Sequence, residues 1–281
     1  MSTSVETFRV GAIECRRLVY GNGRGAPAWM FPDVPAPLLH DRFGPYVDRG
    51  GHFEYVYSSL VVSSGSALLL VDASSPAPGP AEPSGLDQAL SALGVAASDV
   101  DTVVLTHGHL DHLGGLVRAG RPVFGAARHV IGADEFGFWT AGDGAGGPTA
   151  SMLDTITRQA QVELAADERE VVPGVRVLPT PGHTPGHLAV ELASQGEMAF
   201  HVGDVLAHEV NVAEPDWNHF SDMDPARAAA SRRRLVARAA DARAIVVGSH
   251  MATFGRVVRR SSGEVGYRPC RHSSRPDSGI R

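Results

Sequence analysis

Lysine is missing altogether from these 281 residues: all 25 basic side chains are arginine, so no lysine chemistry is available. A Gly-x-Ser-x-Gly stretch is absent too, and with it the usual sequence mark of a serine nucleophile. There are only two cysteines, Cys15 and Cys270, far apart and at unrelated spacing. They give no disulfide framework and suit a reducing compartment. No run approaches the ~20 apolar residues of a membrane span. Between Met1 and Tyr20, the charges of Glu6, Arg9, Glu14, Arg16 and Arg17 break up any apolar core of a signal peptide. The expectation is a cytoplasmic protein with no membrane partner. An excess of positive charge is lacking as well: the formal charge is −6 and the pI near 6.1, which argues against a nucleic-acid partner recruited by bulk electrostatics.

What is present is an apolar content of 43%, enough to bury a full core, and 13 histidines, several of them grouped. The length fits one α/β domain over residues 1–260, with 1–50 as an N-terminal strand and Pro/Gly-rich loop extension. Residues 261–281 read as a polar, flexible tail. The densest chemistry lies in Thr106 to Gly115, Thr-His-Gly-His-Leu-Asp-His-Leu-Gly-Gly. It directly follows Val103, Val104 and Leu105, a short β-branched run that reads as a buried strand. An extended segment throws alternate side chains to one side, so His107 and His109 can point at one metal while Asp111 and His112 turn toward another. Short His clusters also arise as solvated loops, but this one sits at the carboxyl end of a strand, where α/β proteins place their chemistry. Three more candidates stand in similar settings downstream: His183 in Thr-Pro-Gly-His, Asp204 after Met198 to Phe200, and His250 after Ala244 to Val247.

This ordered series, His-x-His-x-Asp-His, then His, Asp and His, resembles the metallo-β-lactamase superfamily of dinuclear metallohydrolases over about Leu60 to Phe254. The resemblance implies an αβ/βα four-layer sandwich. It implies one metal held by His107, His109 and His183, a second by Asp111, His112 and His250, and Asp204 bridging them. Asp72 would support the metal loop from outside. Donors of this kind suit two Zn²⁺ ions, with Mn²⁺, Fe²⁺ or Co²⁺ as alternatives. One subgroup of true β-lactamases puts a cysteine in the second site, and neither Cys15 nor Cys270 lies near a motif. Asp-bridged hydrolases of lactones, esters and phosphotriesters therefore fit better, using a hydroxide shared by the two metals. The expected substrate is a neutral small molecule, a lactone or carboxylic ester, with organophosphate triesters as a side activity. Thioester cleavage and a metal-binding recognition module with little turnover are the alternatives, and a homodimer is left open.

The rest of the chain supplies candidates for substrate handling. Val10 to Tyr20 reads as an edge strand, and Gly21 to Pro45, rich in Gly and Pro, as an irregular segment carrying Trp29, Phe31 and Phe43. It is either a loop pinned by its aromatics or a flap touching substrate. Tyr55 to Val62 and Ala67 to Val71 read as a hairpin, and Ser74 to Ser84 as a surface crossing. Leu86, Ala89, Leu90 and Leu93 mark a helix, and another is expected around Leu116. Phe136 and Trp139 are spaced for core packing, with a substrate wall as the alternative, and the region from Val123 to Val177 is where the resemblance places specificity. His187 and His201 read as outer or structural residues. Some lactonases of the superfamily carry a tyrosine shortly after the bridging Asp; Ala207 stands there, so His208 becomes a candidate general acid beside Asp111 and Asp204. Trp217 and Phe220 precede a helix capped by Asp224 and Pro225. Arg232, Arg233 and Arg234 on that helix read as a solvated face, and Ser273 to Arg281 as disordered.

Overall fold

A computed structural model describes residues 3–73 and 85–270. The first half of the chain runs β1 (Ser4–Val10), β2 (Ile13–Gly25), α1 (Pro27–Met30), α2 (Ala36–Phe43), β3 (Phe53–Ser64), β4 (Ala67–Val71), α3 (Gly85–Ala92) and β5 (Thr102–Val104). It continues through α4 (Leu110–Leu113), a small ribbon of β6 (Val117–Arg118) and β7 (Arg121–Pro122), β8 (Arg128–Gly132), α5 (Ala133–Ala141), α6 (Pro148–Gln159) and β9 (Gln161–Ala165). The second half runs β10 (Arg169–Val172), β11 (Val175–Pro179), β12 (Leu188–Ser194), β13 (Glu197–His201), α7 (Pro225–Asp241), β14 (Ile245–Val247), β15 (Gly255–Arg259) and β16 (Val265–Pro269).

The strands form two seven-stranded sheets, ordered β1-β2-β3-β4-β5-β8-β9 and β10-β11-β12-β13-β14-β15-β16. Side-chain alternation explains why they stack. Leu60, Val62, Leu69, Val71 and Val104 from the first sheet meet Val175, Val177, Val190, Leu192 and Val247 from the second in one shared core. The residues between them in sequence point outward: Val61, Leu70 and Val103 pack under Leu86, Leu90, Leu153 and Ile156 of the helices. On the other side Ala189, Phe200 and Val246 pack under Leu235, Val236 and Ala239 of α7. A strand with both faces covered must be apolar on both, which is why the central strands read as continuous runs. Each such Val or Leu contributes roughly 1.5–3 kcal/mol on burial. The result is an α/β fold of four layers, helix, sheet, sheet, helix, as the sequence motifs implied.

The parallel pairs decide where the chemistry goes. β4, β5 and β8 run parallel to one another, as do β13 and β14, so the segments after β4, β5, β13 and β14 emerge at the same edge. Leu188 N donates to Thr106 O at 2.8 Å and joins the two sheets there.

Several sequence expectations need correction. β2 is interior, because the turn at Gly11–Ala12 folds β1 back along it, and β1 becomes the edge. Gly21 to Pro45 is partly regular: β2 continues to Gly25, α1 starts on Pro27, and α2 starts on Ala36 with Pro35 as its N-cap. No helix forms around Leu116; the helical turn is α4, upstream, and Leu116 leads into the β6–β7 ribbon. The expected tail boundary at 261 also fails, since Val265–Pro269 pairs antiparallel with β15 and buries Gly266 in its register. Ser74 to Ser84, expected as a surface crossing, and Ser273 to Arg281, expected as disordered, lie outside the described residues. No helix among the described residues is long and apolar enough to cross a membrane.

Candidate metal centre

His107 and His109 lie on the extended segment after β5, and Asp111 and His112 on the single turn of α4, whose N-cap is His109. His183 follows β11, Asp204 follows β13, and His250 follows β14. These seven side chains converge into three overlapping groups whose ligand atoms lie within 4.8 Å of one another: His107, His109 and His183; His107, His112 and Asp204; Asp111, His112 and His250. In the first group His107 Nε2 is 3.0 Å and His183 Nε2 3.1 Å from His109 Nδ1. Opposite, His112 Nε2 is 3.2 Å from His250 Nε2, which is 3.2 Å from Asp111 Oδ2. Asp204 stands between, with Oδ1 3.4 Å from His112 Nε2 and Oδ2 3.5 Å from His250 Nε2 and 3.6 Å from His183 Nε2.

The donor set fits cations. His250 Nδ1 sits 2.8 Å from Val56 O, which can only accept, so that nitrogen carries the proton. His112 Nδ1 is 2.8 Å from Asp72 Oδ2 and His183 Nδ1 3.2 Å from Asp222 Oδ1, both carboxylate acceptors. Each outer acceptor turns the ring so that Nε2 presents a lone pair inward. Lone pairs crowded this closely repel unless positive charge lies among them. Asp204 Oδ1 is buried and accepts no hydrogen bond. The electrostatics agree. Burial works against the charged ring of His112, yet the carboxylates of Asp204, Asp111 and Asp72 hold its pKa well above the usual value. Burial likewise opposes an ionised Asp204, yet His250 and His112 keep it well below the carboxylate range. Burial and then the neighbouring His183 push His109 down to about 4.

Buried groups hold each converging segment from behind. Asp72, wholly buried, accepts from Thr106 N and Thr106 Oγ1, both at 2.8 Å, and from Ser249 Oγ at 3.3 Å. Glu135 on α5 accepts four bonds: Gly108 N at 2.7 Å and Trp139 Nε1 at 2.6 Å on Oε1, Thr184 Oγ1 at 2.6 Å and Gly186 N at 3.0 Å on Oε2. One carboxylate thus ties the His107–His109 segment to the His183 segment. A Cβ at Gly108 would stand 2.2 Å from Trp139 Nε1, so only glycine lets the strand end pass that ring. Arg232 donates to Asp222 Oδ2 at 2.9 Å, while Asp222 Oδ1 faces His183. Arg17 donates to Gly248 O and Met251 O, on either side of His250. His187 Nε2 accepts from Asp204 N at 3.1 Å, and a Cβ at Gly203, where φ is +50°, would press to within 2.7 Å of that nitrogen. His201 is buried nearby and its Nδ1 accepts from Gly203 N at 3.4 Å.

A cavity of about 280 Å³ opens onto the cluster, with His109, Asp111, Asp204 and His250 at its floor. An aromatic wall climbs from His250: Tyr57 at 5.3 Å between ring centroids, Tyr55 at 5.9 Å from Tyr57, Trp29 at 6.1 Å from Tyr55, and Phe220 at 4.8 Å from Trp29. Burial, the neighbouring Tyr55 and the carboxylates of Asp111 and Asp204 push the Tyr57 phenol up to about 12. His219 and Ser221 close the other side.

The placement of the substrate candidates is mixed. Trp29 and Phe220 line the cavity, Trp29 48% and Phe220 51% exposed. Phe31 and Trp217 do not: they pack against Phe43 in a separate core under α1 and α2. His208 is buried in that same core, in ring contact with Phe43, Tyr46 and Phe53, its Nδ1 accepting from Val210 N at 3.1 Å. The general-acid role is therefore withdrawn; the 3₁₀ turn Glu209–Val212 carries its ring into the aromatic core rather than into the cavity. Phe136 and Trp139 pack on the helix-side core, with the Trp139 N–H spent on Glu135, and no residue between Val123 and Val177 lines the cavity. Arg232 is 1% exposed, so the reading of three solvated arginines is corrected for that residue. Sequence reasoning gave Tyr55, Tyr57 and Glu135 no part in the site and placed Arg232 in solvent.

A family model, Metallo-beta-lactamase superfamily, matches residues 52–250. A curated relative, "Metallo-beta-lactamase domain-containing protein 1" of Xenopus laevis, is 28% identical over 221 residues, 75% of this chain and 78% of its own length. Among solved structures, AidC, described as a dizinc quorum-quenching lactonase in complex with a product, is similar at TM-score 0.83 and 22% identity, covering 96% of this chain and 98% of that one. The hydrolase AbOPH is similar at TM-score 0.79 and 22% identity over 96% and 99% of the two chains. A probable metal-dependent hydrolase from Staphylococcus aureus is similar at TM-score 0.76 and 23% identity over 94% and 99%.

Proposed function

The chain belongs to the metallo-beta-lactamase superfamily, and from that premise we propose that it is a dinuclear metal-dependent hydrolase of neutral, modestly hydrophobic lactones or carboxylic esters. In this reading His107, His109 and His183 would hold one divalent ion and Asp111, His112 and His250 the other, with Asp204, grouped with His107 and His112, available between them. Zn²⁺ is the first choice for such imidazole and carboxylate donors, ahead of Mn²⁺, Fe²⁺ and Co²⁺. When bound, two such ions supply a Lewis acid for a substrate oxygen and a water acidified toward neutral pH.

The observation that carries the substrate class is the cavity wall. Trp29, Met30, Tyr55, Tyr57 and Phe220 offer apolar and aromatic surface, and among the described residues no arginine lines the cavity. With lysine absent from the chain, a polyanionic substrate finds no Lys or Arg counter-charge there among the described residues. An acyl chain or aryl group lies against the aromatic wall, while the ester or lactone carbonyl descends to the floor. The same wall excludes water from around the reacting atoms. Similarity in fold to a quorum-quenching lactonase and to an N-acyl homoserine lactone lactonase supports a lactone as the first substrate to try.

The test is a panel of acyl-homoserine lactones, aryl esters, methyl parathion and glutathione thioesters, run with the purified protein loaded with Zn²⁺, Mn²⁺ or Co²⁺. Turnover of lactones or esters, lost on chelation and restored by metal, is the expected result. Activity confined to the glutathione thioesters, which carry two carboxylates, would overturn the assignment of substrate.

A further inference from the structure

We propose that His219 is a catalytic residue that touches the substrate, donating a hydrogen bond from its Nε2–H to a substrate oxygen above the metal-binding floor. The proposal rests on the hydrolase reading above and names a group in that site beyond the seven metal-binding side chains.

Placement comes first. His219 lines the cavity on the wall opposite Tyr57 and Tyr55, with its ring centroid 6.0 Å from that of His183. It belongs to none of the three groups able to share a cation. Its chemistry is then fixed by one neighbour. Ser221 N–H donates to His219 Nδ1 at 3.4 Å, and Ser221 Oγ lies 2.7 Å from the same atom. A backbone N–H can only donate, so Nδ1 holds a lone pair and the neutral ring carries its single proton on Nε2. That nitrogen has no protein hydrogen-bond partner among the described residues. Ser221 Oγ, the hydroxyl beside it on that wall, is engaged with His219 itself. His219 Nε2–H is thus a polar donor at the cavity with no protein partner among the described residues.

The ring is also held still, which an effective donor requires, since a preorganised dipole spends no energy reorienting as charge develops. His219 N donates to Asp222 Oδ2 at 2.9 Å, and Asp222 N donates to His219 O at 3.0 Å. Asp222 is in turn fixed by Arg232 on α7 and by His183. Phe31 meets the imidazole edge-on from behind at 6.4 Å, and Phe220 packs beside it at 4.3 Å. The buried carboxylate that orients His183 therefore also sets the turn presenting His219.

Two measurements on the full-length, Zn²⁺-loaded protein test this. Long-range ¹⁵N–¹H spectra of histidine-labelled protein, assigned with His219→Gln, must show the Nε2–H tautomer at His219; the Nδ1–H tautomer would overturn the proposal. Kinetics then use whichever lactone or ester the wild type turns over. His219→Ala is expected to lower kcat about 10²-fold, with metal content and melting temperature retained, and His219→Gln, which keeps an N–H donor, to recover a large part of it. A loss growing with the pKa of the leaving group places the donor at the departing oxygen; a uniform loss places it at the acyl oxygen. An unchanged kcat and KM in His219→Ala would overturn the proposal while leaving the hydrolase reading intact. A wild type inert on the whole panel would overturn the hydrolase reading and this one with it.

Discussion

At the floor of the cavity, seven His and Asp side chains descend from strand ends of both sheets, and behind them stand Asp72, Glu135, Asp222 with Arg232, and Arg17, all nearly or wholly buried. At the mouth, Trp29 and Phe220 come from the short α1 and from the stretch before α7, are about half exposed, and meet through ring contact and one backbone bond, Phe220 N to Met30 O at 3.0 Å. The floor resists change because the groups behind it have been taken out of water and each is satisfied by a named partner; removing a partner strands another. The mouth makes few such demands, so its side chains are free to set what enters.

The widest gap between the two regions is expected at Glu135. Glu135→Ala strands four donors, one on the His107–His109 segment, two on the His183 segment and the Trp139 indole of its own helix, around a wholly buried carboxylate. A loss of about 3–5 kcal/mol in urea unfolding is expected. Because Glu135 touches the segments of His107, His109 and His183 and not those of Asp111, His112 and His250, metal titration should show one of two binding equivalents weakened far more than the other. Equal weakening of both would break the distinction between the two halves of the floor.

How much of this was legible in sequence divides along the same line. The seven floor residues could be read because metal chemistry fixes residue type, and because His107 to His112 place four donors within one short stretch at a strand end. The groups behind them could not, since they act across the fold: Glu135 is 27 positions from Gly108 and 51 from Gly186, and Arg17 is 231 positions from Gly248. Arg232 did carry a signal, because it shares the buried face of α7 with Ala228, Ala229, Leu235 and Val236. Three arginines in a row masked it. His208 and His219 show the limit of sequence proximity: His208, four residues after Asp204, turns into an aromatic core, while His219, fifteen residues on, reaches the cavity. The β-strand at Val265–Pro269 was hidden because an edge strand needs little apolar sequence, only Tyr267 and a partner.

Acid separates floor from mouth next. Burial, its largest cause, brings the pKa of His201 down to about 4, and burial lowers His208 as well. A folded-state pKa below the unfolded value of 6.5 means that the stability is fully present above pH 6.5 and drains away as pH falls toward 4. His201 alone accounts for about 3 kcal/mol over that window. Chelated protein should therefore show a steep fall in urea midpoint between pH 7 and pH 4.5, and His201→Leu should flatten it. A flat wild-type profile would show that these buried rings are not held neutral by the fold.

The smallest effect on stability is expected at the mouth, and with it the clearest effect on substrate choice. Trp29→Ala removes a ring that is 48% exposed and leaves no buried polar group without a partner. The change in unfolding free energy should stay within about 0.5–1 kcal/mol, as for surface substitutions away from caps and cores. Trp29 nonetheless supplies the step between Tyr55 and Phe220 in the aromatic wall, so a bound acyl or aryl group loses part of its contact surface. At roughly 0.8 kcal/mol per buried methylene, KM should rise about tenfold for substrates long enough to reach that ring. It should barely move for acetyl esters, which end near the floor. Because the ring contributes to binding in ground and transition states alike, kcat should hold within about twofold. Measuring KM against acyl length for wild type, Trp29→Ala and Phe220→Ala decides the matter. If the dependence on length survives both substitutions, the acyl group lies elsewhere, and the mouth loses its claim to set specificity.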